Sequence, residues 1–74
     1  METIIRRIMA DILGLEPSVI YEGTSMDNTM SWDSLAHINL MTALEQELGI
    51  VFDIDEMEQM RSFGEIVAVV TAKQ

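Results

Sequence analysis

A run of small and polar residues (Thr24, Ser25, Asp27, Asn28, Thr29, Ser31) gives way at Trp32-Asp33-Ser34-Leu35 to the strongest helical pattern in the chain. That pattern runs to about Leu48, and Gly49 stops it. On a wheel of about 100° per residue, Leu40, Leu44, Leu48, Met41 and His37 fall on one side, which is the expected core face. Leu35, Ile38, Asn39, Thr42, Glu45 and Gln46 share the other. Ser34 therefore sits at a helix N-terminus, where the first N–H groups lack intrahelical partners and the helix dipole is positive. A phosphate attached to that serine would be favoured there. Leu35 and Ile38, two large apolar residues on the outward face beside it, suggest a partner-contact patch.

The remaining chain fits helices around this one. Ile4, Ile5, Ile8, Met9, Ile12 and Leu13 recur at helical spacing and predict a first helix from about Glu2 to Leu13. Gly14 serves as its C-cap, and Pro17 prevents continuation. Leu15 to Ser31 is then a long connection, which is functional or carries a short helical turn. Its apolar cluster, Val19-Ile20-Tyr21, is expected to pack on the bundle. Ile50-Val51-Phe52 is too short for a convincing strand. Asp53 and Glu56 fit a capping box that opens a short third helix to about Met60, and Ser62 with Glu65 fits a second. The last helix offers Ile66, Val67, Val69 and Val70 for burial. Gly64 and the β-branched residues weaken its intrinsic propensity, so packing must hold it. The expected fold is all-α: a small bundle of three main helices plus a short helix, with a long first loop, in a single domain over residues 1–74.

Composition narrows the function. The 74 residues allow one small core, worth only a few kcal/mol of net stability. There is no cysteine, hence no disulfide and no thiolate-metal site. The apolar runs are too short to span a bilayer, and the N-terminal segment reads as a helix rather than a signal peptide, which points to the cytoplasm. The formal net charge is −9. No Lys or Arg lies between Arg7 and Arg61, and of the 13 acidic residues all but Glu2 and Glu65 fall in that interval. Such a surface repels nucleic acid and anionic membranes and attracts basic protein patches. Asp53, Asp55, Glu56 and Glu58 do not make an EF-hand, which needs glycine where Glu58 stands. Ser34, His37 and Asp33 lack the arrangement of a hydrolase triad, and no nucleophile elbow is present.

Asp33-Ser34-Leu35, with the helix ending Ala43-Leu44-Glu45-Gln46-Glu47-Leu48-Gly49-Ile50, resembles the acyl carrier protein family. Leu13-Gly14-Leu15-Glu16-Pro17 is similar to the end of that family's first helix, and Asp53 to Met60 to its acidic third-helix region. The resemblance covers nearly the whole chain. It implies that Ser34 carries 4′-phosphopantetheine, attached from coenzyme A by a separate phosphopantetheinyl transferase that needs Mg²⁺. Asp33 matches the aspartate associated with the metal during transfer. It implies a non-enzymatic, monomeric carrier that holds acyl groups as thioesters. Its partner face would be Leu35, Ile38, Asn39, Thr42 and Glu45, docking on acyl or aminoacyl ligases or acyltransferases with basic surfaces. Fatty-acid-synthesis members are usually acidic where this chain has Ala36 and Asn39, so the resemblance points to a specialised carrier. The glycines and His that precede the serine in peptidyl carriers are absent. An aminoacyl, peptidyl or D-alanyl carrier using the same arm is the alternative, and an unmodified acidic interaction module is another. Met9, Met41, Met57 and Met60 offer an adaptable core.

Overall fold

Helix boundaries in this chain are set by local turn chemistry. The computed structural model describes residues 1–74. Helix α1 spans Glu2–Leu13 and ends at Gly14; α2 spans Ser34–Leu48; α3 is the short Ile54–Gln59; α4 spans Phe63–Lys73. A single 3₁₀ turn, Pro17–Val19, sits in the long first connection. At the end of α2, Gly49 adopts a left-handed conformation (φ 66°), which a side chain would strain, and its N–H donates to Glu45 O. The Asp53–Glu56 capping box is complete: each side chain accepts from the other residue's backbone N–H. The second box forms by half. Ser62 Oγ accepts from Glu65 N–H, but the Glu65 carboxylate takes the Ser62 hydroxyl rather than its backbone N–H.

The core joins all three long helices. Ile5, Ile8, Met9, Ala10 and Leu13 come from α1, Leu40, Met41 and Leu44 from α2, and Phe63, Ile66 and Val70 from α4. Ile20, Trp32, Phe52 and Met60 fill it from the connections. Two sequence expectations need correction. Val19 and Tyr21 are exposed, and of their cluster only Ile20 is buried. Ile20, the extended residue that caps the 3₁₀ turn, is the one side chain of the three that points inward. Ile4 is likewise exposed, at the margin of the α1 stripe. Helix α3 ends where expected, at Gln59 with Met60 as its buried C-cap.

The first connection is bound to the start of α4. Thr24 O accepts from Phe63 N–H, Glu22 O from Gly64 N–H, and Arg61 O from Met26 N–H. Two of the orphan donors of α4 are met in this way. A side chain at residue 64 would put its Cβ 2.8 Å from Glu22 Cγ and 3.3 Å from Glu22 O. Close backbone approach therefore explains why glycine sits inside a helix start. Arg6 ties the same layer together: its Nε–H donates to Ile20 O, and its guanidinium lies 4.8 Å from the Phe63 ring centre.

Candidate functional site

Helix α2 begins where a turn delivers the chain in extended form. Trp32 N–H donates to Thr29 O, and Asp33 then takes φ −98°, ψ −173°. In that conformation Asp33 is the N-cap: its Oδ1 accepts from Ala36 N–H at 2.8 Å, and its carbonyl accepts from His37 N–H. Ser34 follows as the first helical residue and is exposed. The N–H groups of Ser34 and Leu35 have no acceptor within the chain. The site thus presents a primary hydroxyl beside two unpartnered N–H donors at the positive end of a four-turn helix. An esterified phosphate fits that setting in charge and in hydrogen bonding, and nothing packs over the hydroxyl to exclude it.

The other candidate residues divide. Leu35 (68% exposed) and Ile38 (63% exposed) stand out from α2, with Asn39 and Thr42 also exposed on that side. The Thr42 hydroxyl donates to Ile38 O, so it is turned back on its own helix. Glu45 is half-buried, and its Oε2 accepts from Phe52 N–H at 2.8 Å. That carboxylate closes the turn after α2, a use the helical wheel does not reveal. Asp33 spends one carboxylate oxygen on the cap.

His37 does not serve Ser34. Trp32 Nε1–H donates to its Nδ1 at 3.0 Å, and its Nε2 lies 2.8 Å from Met57 O. With both ring nitrogens engaged, no base is free to activate the Ser34 hydroxyl, and a triad is not formed. The Trp32–His37 pair is a feature the sequence reading missed. A wheel for α2 places His37 inward but says nothing of Trp32, which precedes the helix. The available signal was a lone indole whose N–H needs an acceptor when buried.

A groove of about 360 Å³ opens between α2 and α3 beside the serine, lined among others by Ser34, His37, Ile38, Met41, Ile54 and Met57. A larger recess of about 560 Å³ lies under the first connection, with Leu15, Val19, Tyr21 and Met30 in its wall, and does not include Ser34. Size alone does not make it the site, since it carries no charged side chain. No three His, Asp or Glu side chains are placed to share a metal ion. No helix is long and apolar enough to cross a membrane.

Known proteins similar to this chain share its family. A family model described as a phosphopantetheine attachment site matches residues 3–70. The acyl carrier protein of Chlamydia muridarum is 26% identical over 74 residues, covering 100% of this chain and 96% of that one. A holo acyl carrier protein from Geobacter metallireducens, solved by NMR in solution, superposes with a TM-score of 0.86 at 28% identity, over 99% of this chain and 86% of that one.

Proposed function

This chain belongs to the phosphopantetheine-attachment family of acyl carrier proteins, and on that premise we propose that Ser34 Oγ is its attachment point. Members of this family are carriers rather than enzymes. The observation that supports Ser34 is its place in the fold: an exposed hydroxyl on the first residue of α2, capped by Asp33, with two free N–H groups beside it. When bound, the arm supplies a terminal thiol that holds an acyl group as a thioester. The chain's own part is to orient the arm's root, to offer N–H groups to its phosphate and to present a docking face.

Residues 1–74 act in this reading as one cytoplasmic carrier domain. The transferase attaches the arm from coenzyme A with Mg²⁺, and Asp33 keeps one carboxylate oxygen uncommitted for that encounter. Leu35 and Ile38 form the apolar centre of the docking face, with Asn39 and Thr42 beside them. Glu45 contributes at the rim with whatever its internal bond to Phe52 leaves free. Partners carry basic surfaces complementary to the net charge of −9. The uncharged Ala36 and Asn39 support a specialised carrier rather than one serving housekeeping fatty-acid synthesis.

Intact mass is the direct test. Incubation with a broad-specificity transferase, coenzyme A and Mg²⁺ adds one phosphopantetheine to the wild type and none to Ser34→Ala, which stays folded because the side chain is exposed. Modification that survives Ser34→Ala, or a wild type that gains no mass, refutes the assignment. Ala36→Asp with Asn39→Glu is expected to improve acyl transfer by fatty-acid-synthesis enzymes. A wild type already as good a substrate as a housekeeping carrier removes the specialised assignment.

A further inference from the structure

His37 is the single histidine of the chain, and attachment at Ser34 gives it no task. Its ring nevertheless connects three elements. An indole N–H can only donate, so the bond from Trp32 makes Nδ1 an acceptor and leaves the ring proton on Nε2. That N–H donates to the Met57 carbonyl. The result is a directional bridge from Trp32, two residues before Ser34, through the first turn of α2 to the backbone of α3. Its near end is anchored, since Trp32 is only 2% exposed. Its far end reaches a helix that buries none of its own residues. His37 also shares the α2–α3 groove wall with Ser34 and Ile38.

We propose that His37 is a positioning residue that holds α3 against the attachment turn, so that Ser34 and the α2–α3 face meet the phosphopantetheinyl transferase as one preformed surface. The proposal rests on the assignment of Ser34 above. A docking face whose two helices already sit at their binding separation spends less of its contact energy on ordering. The bridge does not touch the Ser34 hydroxyl, so its loss weakens binding of the carrier rather than the transfer step. In kinetics this is a rise in KM with kcat little changed.

Glutamine separates this role from simple packing. Its amide carries an acceptor oxygen and an NH₂ donor group and can replace both ring contacts, whereas alanine replaces neither. The experiment compares wild type, His37→Gln, His37→Ala and the core variant Ile66→Val. It measures steady-state phosphopantetheinylation, and hydrogen exchange on the unmodified proteins. His37→Ala should raise KM about fivefold, the factor for one net hydrogen bond, with kcat within about twofold. It should also speed exchange at the Met57 and Met60 amides. His37→Gln should stay near wild type in both measurements. Ile66→Val should lower the Tm and leave KM unchanged. The proposal fails if His37→Ala leaves KM unmoved, if His37→Gln is as impaired as His37→Ala, or if Ile66→Val reproduces the KM rise. A wild type that accepts no arm refutes the Ser34 assignment and the kinetic role built on it. In that case unchanged α3 exchange in His37→Ala would also remove the bridge, and faster exchange would retain it.

Discussion

Helices α2 and α3 flank the same groove, yet different forces hold them. Helix α2 sinks Leu40, Met41 and Leu44 into the core. Helix α3 buries none of its six residues and is fixed between Phe52 before it and Met60 after it, both buried. Polar tethers do the rest: the Asp53–Glu56 box, the His37 contact to Met57 O, and an ion pair from Lys73 Nζ to Glu56 Oε1 at 3.0 Å. Apolar burial is undirected and strong, whereas single hydrogen bonds and partly exposed ion pairs contribute about 1 kcal/mol or less each. One wall of the groove is therefore held by the core, and the other by a few polar tethers, the His37 bridge among them.

The contrast is most easily broken in α2. Leu44→Ala should cost about 2–5 kcal/mol, a large share of the stability of a domain this small, in urea or thermal unfolding. A loss below about 1 kcal/mol would mean that α2 is no better anchored than α3. Asp53→Ala should cost about 1 kcal/mol by removing the α3 cap. Hydrogen exchange should then rise in α3 and leave α1 and α2 protected. Uniform acceleration across the chain would show that α3 does not open by itself.

Glu56 gives the tethers a pH signature. The Asp53 backbone N–H, and after it Lys73, hold its carboxyl below the ordinary value of 4.5. A carboxyl depressed in the folded state contributes stability that is present above its unfolded pKa and lost as pH falls through the lower folded value. Thermal unfolding of wild type and Glu56→Gln, followed through the acid limb, should therefore converge as pH drops below the carboxylate range. A gap that persists there would place the effect elsewhere. The smallest stability change belongs to Ile38→Ala, within about 0.5 kcal/mol because the side chain is largely exposed. The same change should weaken loading by the cognate ligase or acyltransferase more than Glu45→Gln does at moderate salt. Unfolding by Ile38→Ala would mean that the outward face of α2 is misplaced.

Much of this arrangement was legible in the residues. The starts of α3 and α4 and the ends of α1 and α2 follow from Asp53, Ser62, Gly14 and Gly49, because capping is chemistry local to a few residues. The core face of α2 follows from periodicity, and so does the exposure of Leu35 and Ile38. Loops carry no such period, so Val19 and Tyr21 could not be distinguished from Ile20 by pattern. The Trp32–His37–Met57 chain and the Glu45–Phe52 bond were invisible for a related reason: each joins a helix to residues outside it. Ser34 stood out through its position at a helix start together with the resemblance, whereas the docking residues were inferred from one face of one helix.

The bonding of the first connection to α4 also has a consequence for the order of assembly during synthesis. The Glu22 and Thr24 carbonyls find their donors in Gly64 and Phe63, about 40 residues further along the sequence. A nascent chain that has completed α1 and α2 still lacks those partners, along with Phe63, Ile66 and Val70 of the core. Closing a loop of that length adds entropy cost before any contact offsets it. The segment leading to Ser34 therefore lacks these bonds until residues 63 and 64 reach it.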